Sequence, residues 1–147
     1  MFSNLLRRTS TKCCHSNKNI YKRFLSTIKS CDKNELKQFI KGNCIIIDVR
    51  EKMEIAQTGP VHHKAINIPL MHYVTDEDGN ENILLDRLDG DEFLDEYGID
   101  KPNYDDHIIF TCKAGVRSNM AAQLTLQQNP NYKNIINYVG GADDWFN

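Results

Sequence analysis

The sequence predicts an α/β fold built on a mostly parallel sheet, and three observations carry that prediction. Short apolar runs, CIIID at 44–48, HIIFT at 107–111 and NIINYV at 134–139, read as strands. Stretches with helical spacing alternate with them, which is the pattern of a parallel sheet with crossover helices. The chain has 147 residues, 40% hydrophobic and 26% charged, the size and composition of one globular domain.

Residues 1–31 carry seven Lys or Arg and no acid, so the overall charge of -2 hides a charge of -9 on residues 32–147. A basic, Ser/Thr-rich, acid-free start has the composition of an organellar transit peptide. RFLS at 23–26 resembles a mitochondrial cleavage site. The expectation is a disordered presequence over 1–25, removed on import to the mitochondrial matrix, with the domain at 26–147; a basic arm that binds anionic surfaces is the alternative. No apolar run approaches the roughly 18 residues of a membrane span. Neither a membrane span nor a nucleic-acid partner is expected.

Along the domain, DKNELKQFIK at 32–41 opens with Asp32 and places Glu35 three residues on, a capping box, with Leu36, Phe39 and Ile40 on one helical face and Gly42 as the stop. CIIID, rich in β-branched residues, is predicted as a strand buried on both faces. REKMEIAQ at 50–57 is predicted as a short helix ended by Thr58-Gly59, and AINIPL at 65–70 as a strand closed by Pro69. Residues 76–96 hold ten acids against Arg87. This is not a calcium loop, because Glu81 stands where glycine is needed and Arg87 where glutamate is needed. It reads as a solvated loop leading into DEFLDEYG, with Phe93, Leu94 and Tyr97 inward. A helix is expected from Ser118 to about Gln128, ended by Asn129-Pro130. A terminal amphipathic piece with Trp145 and Phe146 follows Gly140-Gly141.

Five cysteines (13, 14, 31, 44 and 112) form no C-x-x-C pair, and the histidines show no zinc spacing, so neither a metal nor a disulfide framework is expected. The adjacent His62 and His63 read as loop residues, since neighbours point apart on most backbones.

Sites in parallel sheets lie beyond the carboxyl ends of the strands. Cys112 and Asp48 both stand at such ends. Cys112 opens CKAGVRS, between a strand and a helix. Inward N–H groups, the positive end of the helix and the cations Lys113 and Arg117 would all favour a thiolate there. Gly115 permits tight curvature or a positive φ, and Ser118 is placed to cap the helix. The loop is expected to cradle an anionic sulfur that is also a nucleophile. Cys44, before IIID, is expected to be inert.

CKAGVRS resembles the active-site loop of rhodanese sulfurtransferases. IIIDVRE looks like the family's Asp-x-Arg motif, AINIPL its Ala-x-Asn-Ile-Pro segment, and NYVGGADDW the end of single-domain mitochondrial thiosulfate sulfurtransferases. The resemblance spans roughly residues 30–147. GPVHHKA departs from the family's Gly-His-Ile-Pro-Gly-Ala by one extra residue and by Lys64. The resemblance implies a central five-stranded sheet with helices on both faces and no cofactor. It implies double displacement: Cys112 takes the outer sulfur of thiosulfate, sulfite leaves, and cyanide, glutathione or another thiol, including one on a protein, removes the sulfur from the persulfide. Residues Lys113, Ala114, Gly115, Val116, Arg117 and Ser118 would bind substrate. Asp48 is expected to pair with Arg117 and orient it, and Arg50 to form a structural ion pair. Trp145 suits the pocket rim or the core equally. Phosphatases of related fold place one more residue between Cys and Arg; the four here suit a single sulfur. A non-enzymatic binding module and a persulfide carrier fed by a protein donor remain the alternatives.

Overall fold

The computed structural model describes residues 28–70, 85 and 88–147. The presequence prediction over 1–25 and most of the rejected calcium loop lie outside these residues. Chain order gives β1 (Lys29–Cys31), α1 (Lys33–Lys41), β2 (Cys44–Asp48), α2 (Lys52–Thr58) and β3 (Ile66–Asn67). Then come α3 (Gly90–Tyr97), β4 (His107–Thr111), α4 (Val116–Gln128), β5 (Asn134–Tyr138) and α5 (Gly141–Trp145). The five strands form one sheet in the order β1-β5-β4-β2-β3, and every pairing is parallel. The predicted fold class therefore holds.

Alternation along the strands divides the core in two. Ile47, Ile108, Phe110 and Ile135 pack with Phe93 of α3 and with Ala121, Ala122 and Leu126 of α4. Their neighbours Ile46, Ile109, Ile136 and Tyr138 pack with Leu36 of α1 and Ala142 of α5. Successive side chains of a strand point to opposite faces, so a continuous apolar run is what a sheet covered on both sides needs. Trp145 joins the second cluster and meets Tyr138 edge-on, with ring centroids 6.4 Å apart. Core packing, not the pocket rim, is its place.

The capping box of α1 forms as read: Asp32 accepts from the N–H groups of Asn34 and Glu35, and Glu35 accepts from the N–H of Asp32. Several details differ from expectation. The strand expected over 65–70 is only Ile66–Asn67, because Pro69 has no N–H to continue the ladder, although Leu70 N–H still reaches the Val49 carbonyl at 3.0 Å. Leu94 is exposed; the inward face of α3 is made by Phe93 and the half-buried Tyr97, whose rings lie 4.7 Å apart. The three-residue β1 carries little periodicity and is legible only through its pairing with β5. His62 and His63 do not point apart; their rings lie 4.1 Å apart. Among the described residues no cluster of three or more metal-ligating side chains occurs, and no helix is long and apolar enough to cross a membrane.

Candidate active site

The sheet brings the ends of β2 and β4 together, with Asp48 opposite Thr111 in register. Cys112 follows at once and is buried, only 1% exposed. Its Sγ accepts the Gly115 N–H at 3.1 Å and lies 3.3 Å from the Ser118 hydroxyl. Burial pushes the thiol's pKa up. The Ser118 hydroxyl and the N–H groups of Ser118, Ala114 and Gly115 oppose it and win, so the thiol is held below its ordinary value. Hydrogen bonds carry this depression.

The loop holds its shape through the turn after β5. The Ala142 N–H donates to the Cys112 carbonyl at 2.8 Å, and the Asp143 N–H to the Lys113 carbonyl at 3.0 Å. In a trans peptide the N–H points opposite to the carbonyl. Drawing those two carbonyls outward therefore turns the next N–H groups, including that of Ala114, towards the sulfur side. Two glycines permit this close approach. Gly115 has φ +84°, and a Cβ there would meet the Val139 carbonyl oxygen at 2.3 Å. Gly141 has φ +61°, and its Cβ would meet the Lys113 oxygen at 2.4 Å.

Gly115 is also the N-cap of α4, so the helix begins at Val116 and not at Ser118. Ser118 consequently caps nothing. Its side chain turns inward, 2.7 Å from Asn137 Oδ1 as well as beside the sulfur. Asn137 Nδ2 donates to the Gly115 carbonyl at 3.1 Å, which fixes the amide with its oxygen towards Ser118. The single hydroxyl hydrogen can serve either Asn137 or the sulfur at one time. Ala114 and Val116 are exposed on the outer side of the loop.

The expected Asp48–Arg117 pair does not form. Asp48 pairs instead with Arg50, through Nη2–Oδ2 at 2.7 Å and Nε–Oδ1 at 3.0 Å, and both side chains are buried. Arg50 also donates through Nη1 to Thr58 Oγ1 and through Nη2 to the Gly59 carbonyl. Asn67 Nδ2 bridges the carbonyls of Asp48 and Arg50. Arg50 is thus the structural ion pair that was expected. Two residues apart at the end of one strand, Asp48 and Arg50 meet more readily than Asp48 could meet a residue on α4.

Arg117 is taken by Glu54 of α2, its Nη1 and Nη2 donating to the two carboxylate oxygens at 2.6 and 2.7 Å. That fork holds the Glu54 carboxyl down at about 2 and pushes Arg117 further up. Lys113 is exposed, 3.6 Å from Asp143. Sequence reasoning missed Glu54, Asn137 and Asn67. A double glycine after a strand was a signal of close backbone approach, but nothing in the sequence ties Glu54 to a cation 63 positions away.

Beside the loop lies a cavity of about 170 Å³, lined among others by Arg50, Glu54, Lys113, Asp143 and Phe146. A buried, acidified thiol beside a small open cleft can attack a sulfur or carbon centre and hold the resulting anion on loop N–H groups.

Comparison with known proteins agrees with this fold. The family model for the rhodanese-like domain matches residues 32–147. A Drosophila melanogaster protein, rhodanese domain-containing protein CG4456, is 39% identical over 103 residues, 68% of this chain and 79% of its own. The mouse thiosulfate sulfurtransferase/rhodanese-like domain-containing protein 3 is 34% identical over 83% of this chain and 71% of its own. The solved human single-domain sulfurtransferase TSTD1 superposes with a TM-score of 0.64 at 24% identity, covering 80% of this chain and 94% of that one, a likeness of fold.

Proposed function

This chain belongs to the rhodanese-like domain family, which includes sulfurtransferases, and on that premise we propose that it transfers sulfane sulfur through a persulfide on Cys112. The observation that carries the proposal is the acidified, buried Cys112 sulfur with loop donors converging on it.

The Cys112 thiolate attacks the outer sulfur of thiosulfate. A sulfur–sulfur bond forms to Cys112, the bond between the two thiosulfate sulfurs breaks, and sulfite departs with its electron pair. The terminal persulfide sulfur carries the negative charge, which the loop N–H groups stabilise. A thiolate or cyanide then bonds to that sulfur, and the Cys112 thiolate is regenerated as the leaving group. Lys113 guides the sulfonate towards the loop. Four residues between Cys112 and Arg117 make a ring suited to one sulfur atom and too narrow for the three equatorial oxygens of a phosphoryl group. Intact mass before and after thiosulfate tests the reading. One added sulfur, removed by cyanide, is expected, with thiocyanate as product. No added sulfur, or hydrolysis of an aryl phosphate at a rate matching thiocyanate formation, would overturn it.

The acid-free basic start supports import into the mitochondrial matrix with removal of residues 1–25. A reporter fused behind those residues that stays in the cytosol with its N-terminus intact would sink that part.

A further inference from the structure

The two cations of the active-site mouth both face carboxylates, Lys113 loosely and in solvent, Arg117 tightly. Lys113 stands 3.6 Å from Asp143, and the guanidinium of Arg117 presents its paired Nη groups to Glu54, one to each carboxylate oxygen. Glu54 also lines the cavity beside the loop. Two of a sulfonate's three oxygens can engage an arginine fork as the two oxygens of a carboxylate do. Glu54 therefore already occupies the position that a sulfonate would take on Arg117.

From this geometry we propose that Glu54 is a specificity-determining residue, an internal competitor that sets the domain against sulfonate donors such as thiosulfate and in favour of persulfides lacking a sulfonate. The inference rests on the sulfurtransferase reading and deepens it. A dianion that reaches Arg117 must displace the Glu54 carboxylate or bind beside it against its charge. A persulfide without a sulfonate meets neither obstacle, since it needs only the sulfur cradle. The competitor keeps its charge across the physiological range, because the Arg117 fork holds the Glu54 carboxyl at about 2. Mild acidification therefore does not release Arg117. Glu54 acts through Arg117 and is a positioning residue. About one third of each of the two side chains is exposed, so the competition is partly screened and its scale is modest.

The replacement Glu54→Gln isolates the effect. Glu54 Oε2 also accepts the Glu51 N–H at 2.9 Å at the start of α2, and the Gln oxygen can keep that bond while the charge is lost. In the full chain, kcat/KM for thiosulfate with cyanide as acceptor is expected to rise about threefold to tenfold, the range for a charge-assisted contact partly open to water. The value for mercaptoethanol persulfide is expected to stay within about twofold by the same reasoning. A purely structural role for Glu54 would lower both together, and that result, or an unchanged ratio of the two donors, would overturn the proposal. Calorimetry of thiosulfate binding in a Cys112→Ser background, where no sulfur moves, separates this inference from the function it rests on. Tighter binding in Cys112→Ser/Glu54→Gln than in Cys112→Ser supports the competition even if turnover is never seen. Equal or weaker binding, with both proteins folded by circular dichroism, refutes it.

Discussion

The pair β2–β4 carries a cysteine at each end, and the two ends treat it in opposite ways. At the amino end, Cys44 stands in register with His107, is half-buried, and has a thiol pushed up by burial that Lys64 lowers without prevailing. Just past the carboxyl end, Cys112 is far more buried, yet its thiol is held down. Cys31, buried beside Glu35 and Asp32, is pushed up to about 12. Burial acts in the same direction on all three. What differs is the direction in which the backbone points. At the carboxyl end of a parallel strand the chain turns into a helix, and its N–H groups face the crevice. At Cys44 the charge of Lys64 lowers the thiol but does not overcome burial.

The bluntest way to break this comparison is to remove each sulfur in turn. Cys112→Ser is expected to abolish sulfur transfer, while Cys44→Ser keeps most of it, measured as thiocyanate formed from thiosulfate and cyanide. Comparable losses in two folded variants would mean that the ends are equivalent.

A smaller but still large effect is expected from Gly115→Ala. The positive φ alone costs an ordinary residue about 1–2 kcal/mol, and the new Cβ would press on the Val139 carbonyl as well. Relief of both turns the donors away from the sulfur. Activity should fall at least about tenfold, since 1.4 kcal/mol is a factor of ten. The pH midpoint of Cys112 alkylation should move upward, towards that of Cys44. A variant that melts lower but keeps the wild-type midpoint would show that Gly115 serves packing alone.

The finest adjustment is Ser118→Ala. Cys112 becomes reactive as pH rises through its depressed pKa, so losing a donor to the thiolate must shift that midpoint up and slow alkylation below it. Because the hydroxyl also faces Asn137 at 2.7 Å, the shift should be no more than about one unit, or 1.4 kcal/mol. A downward shift would mean that the hydroxyl hydrogen belongs to Asn137 throughout, with the thiol donating to Ser118.

Much of this was legible in the sequence because it is local. The capping box at Asp32 and Glu35, the β-branched runs and the strand–loop–helix around Cys112 involve residues within a few positions of one another. An ion pair for Arg50 was expected, but its partner Asp48, two residues away, was expected to meet Arg117 instead. The Asp48–Arg117 expectation failed because it inferred a contact from two strand ends without the third element, α2, which presents Glu54 to Arg117 first. Ser118 was read as a cap because the αL conformation of Gly115, which moves the helix start back to Val116, depends on packing against Val139. Asn137 looked like an ordinary strand residue; its amide acquires a task only when β5 lies beside β4.

The hydrogen bonds from Ala142 and Asp143 to the loop carbonyls have a consequence in time as well as in space. Cys112 emerges from the ribosome some thirty residues ahead of the segment that orients its peptides. Until residues 140–145 arrive, the loop lacks its outer anchors, and only the donors carried by the loop and α4 themselves can meet the sulfur. The full set of contacts that shapes the loop is therefore complete only once the C-terminal turn has docked.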